Sequence, residues 1–283
     1  MHLSLPVFLA VLSAAALHAG WNALVKIRLD PLLAITLTCF SCGIIALPAV
    51  LVTGLPDKAA WPWIMASVAI HLGYYIFLAE AYRRADMGQI YPIARGSAPL
   101  LTALISLLVV ADPVSSSNIV GIALLALGVL LISLRGHRHL APPSRIAVSC
   151  ALLTSVTITA YTIVDGVGAR VSGNANAYAA TLFAVDAYPI LIICLWWKGA
   201  EGVKPAFGFL AQGFTGGAMS LVAYWIVIWA MTVAPIALVA AIRETSVLFG
   251  ALIAVLFLKE PMTRVRAASA ALILVGLAFM RLS

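Results

Sequence analysis

Two arginines, Arg95 and Arg243, stand inside apolar runs 148 positions apart. A guanidinium group keeps its charge at any physiological pH and grips a carboxylate or phosphonate through two parallel hydrogen bonds. Holding one at mid-membrane depth costs from ~3 to over ~10 kcal/mol, so each must face protein or water rather than lipid. Two such cations near the centre of one molecule are what capture of a small organic anion requires. In the opposing reading, internal acids neutralise them and they only tie helices together, with Glu244, Asp186 and Glu80 as available partners.

Asp186 lies mid-run and is followed by Tyr188-Pro189. A carboxyl at that depth fits a proton-coupling site or an ion pair with an arginine. Glu244 follows Arg243 directly; on a continuous helix the two diverge by about 100°, so Glu244 is expected to face a different neighbour. It is a second proton-carrier candidate, and His18 is a third. Glu80 stands four residues before Arg84, which reads as a local interfacial pair.

His18 and His71 are the histidines in apolar runs, and each either packs or titrates near neutrality. Trp21 and Tyr161, with Asn22 and Thr162 beside them, fall late in what read as the first and sixth helices, where they can line a cavity. Tyr74 and Tyr75 point to different faces, so at most one lines the site. The substrate-binding candidates are therefore Arg95, Arg243, Trp21, Asn22, His71, Tyr75 and Tyr161; Asp186, Glu244 and His18 are the coupling candidates. The Cys39-x-x-Cys42 spacing places two small residues on one helix face, and neither a metal nor a cofactor is expected. No phosphate-binding loop and no nucleophile with a partnered base is present, so an enzyme is not expected either.

The elements that position these residues are membrane helices. A 283-residue chain that is 64% hydrophobic and 10% charged holds more apolar surface than a core of its size can hide. Ten apolar segments are long enough to cross a ~30 Å hydrocarbon core. They run Leu5 to Val25, Leu32 to Thr53, Trp61 to Tyr82, Gln89 to Val110, Asn118 to Leu134, Arg145 to Val164, Ala175 to Trp197, Phe207 to Met231, Ile236 to Leu258 and Arg264 to Arg281. The net charge of +7 reflects loops facing anionic lipid and cytoplasm rather than nucleic acid.

Residues 94–134 align without a gap on residues 242–282, with eleven identities in 41 columns. These include Arg95/Arg243, Pro113/Pro261 and Gly128/Gly276, and Asp112-Pro113 repeats as Glu260-Pro261. The chain thus reads as all-α, two five-helix repeats at residues 1–140 and 141–283, and an odd number of helices per repeat inverts the second relative to the first. Twelve Lys and Arg flank the loops after helices 1, 3, 5, 7 and 9, against Lys58, Arg170 and Arg281 on the other side. The positive-inside rule then places both termini outside the cell.

A proline on a small-residue helix, an apolar run closed by an acid, and a final helix with glycine appear as Pro99, Asp112 and Gly128, and again as Glu260 and Gly276 with Val247 in the place of proline. This pattern resembles the drug/metabolite transporter superfamily, EamA type. The opening His18-Ala19-Gly20-Trp21-Asn22-Ala23-Leu24-Val25-Lys26 resembles a subgroup associated with phosphonate utilisation. In the related sugar-phosphate translocators, cationic residues on the fourth and ninth helices hold the phosphate, which implies a similar role for Arg95 and Arg243. Many members are described with cytoplasmic termini, opposite to the charge count.

The resulting expectation is a secondary active carrier in a bacterial inner membrane. It moves a small organic anion or zwitterion, amino-acid-like or phosphonate-like, by alternating access. Protons are the candidate coupling ion, and a monomer or weak homodimer in the lipid bilayer is the expected state. The alternatives are an exporter of cationic amphiphiles and a lipid flippase.

Overall fold

The computed structural model describes residues 3–24, 29–85, 87–135, 144–256 and 262–282. Lys26, Arg28, the basic loop 136–139 and the second acid-proline pair, Glu260-Pro261, lie outside them. Among the described residues eight segments are long and apolar enough to cross a membrane. One of these, Ala175–Val233, contains two helices, and the shorter Ser116–Ile132 adds another, giving ten.

Helix 1 is Leu5–Leu24, helix 2 Pro31–Thr53, helix 3 Trp61–Arg84, helix 5 Ser116–Arg135 and helix 6 Arg145–Val171. Helix 7 is Ala175–Val203, helix 8 Leu210–Val233 and helix 10 Arg264–Leu282. Helix 4 comes in two pieces, Met87–Gly96 and Ala98–Ile105, and ends in a π turn over Ser106–Val110. Helix 9 is likewise broken, into Ile236–Arg243 and Ser246–Leu256. The uninterrupted helices expected at these two places are therefore corrected.

Helix 3 packs on helix 6 and helix 8 on helix 1; helix 2 packs on helix 7, helix 5 on helix 10, and helix 4 on helix 9. Exchanging each helix for the one five places on leaves this pairing unchanged, the mark of a twofold relation between the halves. Side chains such as Leu51, Val52, Leu108, Val109, Ile192 and Trp196 remain exposed on the outside, the pattern of a surface meant for lipid.

Two contacts hold the halves together. Gly276 on helix 10 meets Gly121 on helix 5 so closely that a Cβ at either position would stand 2.6–2.7 Å from the other's carbonyl oxygen. Small residues at such a crossing let backbones approach and gain dispersion where no hydrophobic force acts between helices. At the membrane face where helix 4 ends, Arg170 donates to both oxygens of Asp112 at 2.7 and 3.0 Å. It also donates to the carbonyls of Met231 and Ala234, and Asp112 accepts the Ile236 amide at 2.8 Å. Arg170, counted above as a loop charge, thus fastens helices 4, 6, 8 and 9 at one end.

At the opposite face Asp30 caps helix 2 by accepting from the Leu32 and Leu33 amides and pairs with Lys198 at 3.1 Å. Glu80 pairs with Arg84 and, at 3.4 Å, with Arg83 near the end of helix 3.

Candidate functional site

Both broken helices part at the same place in the repeat, directly after the arginine. In helix 4, Pro99 has no amide proton to give to the Arg95 carbonyl four residues back, so the hydrogen-bond ladder fails there. The hydroxyl of Ser97 turns back to the Ile93 carbonyl at 2.8 Å and meets the Ser155 hydroxyl on helix 6. Helix 9 lacks the proline but tightens into three-residue turns. The amides of Glu244, Thr245 and Val247 donate to the carbonyls of Ala241, Ile242 and Glu244, and the Thr245 hydroxyl takes the Ile242 carbonyl at 2.7 Å. Each guanidinium therefore hangs from the C-terminal end of a half-helix, where the macrodipole favours a cation.

The break also redirects Glu244. A continuous helix would turn it away from Arg243; instead it lies in the turn and faces both arginines. Its Oε1 is 3.4 Å from Arg243 Nε, and its Oε2 is 3.2 Å from Arg95 Nε. All three are buried, with Glu244 only 1% exposed. Two cations thus share this one carboxylate.

The arginines' other neighbours continue from there. Arg95 Nη2 lies 2.7 Å from His18 Nε2. Arginine only donates, so this ring nitrogen accepts and the proton sits on Nδ1. Trp21 Nε1, 3.3 Å from Nδ1, then faces another donor, and its contact with His18 is the edge-on ring packing at 5.4 Å between centroids. Arg243 reaches the Thr162 hydroxyl at 3.4 Å and stands over the rings of Tyr161 and Tyr224, at 6.0 and 5.8 Å from their centroids. Tyr161 stacks on His71 at 4.2 Å, and His71 stacks on Tyr75 at 5.9 Å. The Tyr75 hydroxyl donates to Asp186 Oδ2.

The structure thus joins Trp21, His18, Arg95, Glu244, Arg243, Tyr161, His71, Tyr75 and Asp186 in one run of contacts from helix 1 to helix 7. Asn22 stands apart from it, its amide donating to the His18 carbonyl on its own helix. Asp186 meets Tyr75 rather than either arginine, and its Oδ1 is buried with no hydrogen-bond donor. Glu80 stays at the interface with Arg83 and Arg84.

One acid was misplaced by the sequence reading. Residues 165–174 read there as a loop, yet helix 6 continues to Val171 and Asp165 is fully buried in it. It accepts from Tyr178 at 3.0 Å and from Tyr224, the ring beneath Arg243, at 2.6 Å. Gly166 and Gly168 look like helix breakers but are contact points: a Cβ on them would meet Ile236 at 2.5 Å and Trp63 at 2.6 Å. The signal was present in the spacing Thr154, Ile158, Tyr161, Asp165, which keeps to one helix face right up to the glycines.

The arrangement has two poles. The arginine pair and Glu244 form a cationic pole among helices 1, 4 and 9. Asp165 and Asp186 lie on helices 6 and 7, behind a wall of Tyr161, His71, Tyr75 and Tyr224.

The chain matches the EamA-like transporter family twice, over residues 5–134 and 145–282. No curated protein matches it. A solved crystal structure shares the fold with a TM-score of 0.78 over 98% of both chains, at 18% sequence identity.

Proposed function

We propose that this chain, which belongs to the EamA-like transporter family and is an integral membrane protein, carries a small organic anion or zwitterion by alternating access around Arg95 and Arg243. As a family member it is a membrane transporter of small molecules rather than an enzyme. The observation that carries the finer reading is the sharing of one carboxylate, Glu244, by two buried guanidinium groups. A cation pair balanced by a single acid attracts one further negative charge, and in low dielectric that attraction is strong. The acids behind the aromatic wall supply the opposite pole for an ammonium group, which is why zwitterions belong to the reading. An exporter of cations is disfavoured, since its cargo would share the site with two buried guanidinium groups.

His71, Tyr75 and Tyr161 belong to the wall, Trp21 packs on His18 beside Arg95, and Asn22 holds the turn of helix 1 that presents His18. Asp186, buried with one oxygen lacking a donor, is the coupling residue of this reading, loaded with a proton when the site is empty. Both termini lie outside a bacterial inner membrane by the charge count. The test is uptake into proteoliposomes: Arg95→Gln and Arg243→Gln each abolish uptake of an anionic substrate while the protein still folds. Full uptake by both variants contradicts the reading.

A further inference from the structure

We infer that Glu244 sets the charge of the cargo: it occupies one side of both arginines, so the site takes a single carboxylate in preference to a dianionic phosphoryl or phosphonyl head. This deepens the function proposed above and rests on it. Three observations carry it.

Glu244 gives one oxygen to each arginine, at 3.4 and 3.2 Å, so neither guanidinium is left wholly to a ligand. The acid belongs to one repeat alone: the position 148 residues earlier is Gly96. A side chain there would have to displace Leu130, whose Cδ2 and Cγ would stand 2.7 and 3.2 Å from a Cβ on Gly96. At these matched positions the duplication therefore delivers two cations and one anion.

The other described polar contacts of the two guanidinium groups are to uncharged groups. His18 offers Arg95 an uncharged acceptor and Thr162 offers Arg243 a hydroxyl. Asp165 is buried on the far side of Tyr224, whose hydroxyl it binds and whose ring lies beneath Arg243. A ligand bearing one negative charge completes the pole. A ligand bearing two brings its second charge against buried Glu244, where like charges repel with little screening.

The experiment measures dissociation constants of the purified protein for short straight-chain carboxylates, amino carboxylates and alkyl phosphates of matched length. It is run at pH 8, where the phosphates carry two charges. Wild type binds the best carboxylate at least about tenfold more tightly than its matched phosphate. Glu244→Gln reverses that order, and Glu244→Asp keeps it. Cooperative thermal unfolding of Glu244→Gln shows that it is folded, and if it does not fold, Glu244→Asp and Glu244→Ala carry the comparison. An unchanged preference in the folded neutral variant, with Arg95→Gln and Arg243→Gln still losing both ligand classes, overturns the role of Glu244 and leaves the anion reading standing. Absence of saturable binding of every probe to wild type overturns both.

Discussion

Arg95 and Arg243, which occupy the same position in two copies of one repeat, meet at opposite oxygens of the Glu244 carboxylate. Inverted halves bring their fourth helices together from opposite membrane faces, and each helix breaks just beyond its arginine. The break exposes the charge to the centre and swings Glu244 into the gap. From this arrangement follow expectations for the wall around the arginines, for the fastenings between the halves and for the membrane interface.

Tyr224 touches the site in two ways, its ring beneath Arg243 and its hydroxyl on Asp165. Tyr224→Phe keeps the ring but deprives a buried carboxylate of a donor. It therefore lowers stability by about 1–3 kcal/mol while anion affinity stays within about threefold. Tyr224→Leu removes the cation–π contact as well and weakens binding by about tenfold. Calorimetric titration beside thermal unfolding separates the two effects.

The bidentate pair of Arg170 and Asp112 fastens helix 6 to the end of helix 4. Asp112→Asn still offers an acceptor to the Ile236 amide but takes the carboxylate away from the Arg170 fork. Stability falls by about 3 kcal/mol, read from denaturant unfolding in detergent. Arg170→Lys keeps the charge and loses the fork, so it falls between the two.

Gly276 admits no side chain against Gly121 without moving backbone. Gly276→Leu costs about 1–3 kcal/mol by thermal unfolding, whereas Leu274→Ala, at a position 55% exposed to lipid, leaves the transition nearly unmoved.

Asp30 lies outside the spans, and its carboxyl is held below the ordinary carboxylate range. Partial burial alone would raise it, but the hydrogen bond and charge of Lys198 and the two helix 2 amides outweigh burial. A depressed folded value stabilises the protein above the unfolded value of about 3.9, and that contribution disappears as pH falls through the lower folded value. The stability difference between wild type and Asp30→Asn is thus constant above about pH 5 and closes in more acid solution, checked by unfolding across pH.

Much of this was legible in the residues. Ten helices follow from apolar run length, and the repeat follows from arginine, proline and glycine returning at a fixed interval. Pro99 carries the signal of the helix 4 break, although the apolar run continues through it and reads as one helix. The break in helix 9 was hidden because Val247 carries no such mark and the turn is made by Thr245 closing on the Ile242 carbonyl. Without the break, helical geometry sends Glu244 the wrong way, so the contact that most shapes the site was the one least readable. Asp165 was lost for a related reason: glycines next to it signal a loop in sequence but close packing in three dimensions. Asp112 and Arg170 are partners 58 residues apart, and no local pattern joins them.

The account turns on whether the arginine pair receives an anion, and the most direct measurement is equilibrium binding of the tightest carboxylate probe to wild type, Arg95→Gln and Arg243→Gln at low and high salt. The account predicts that each substitution weakens binding by about a hundredfold, as loss of one charge-assisted contact of about 3 kcal/mol requires. It also predicts that wild-type affinity changes little with salt, because the buried pair is screened weakly. Wild-type affinity retained in both folded variants would contradict it.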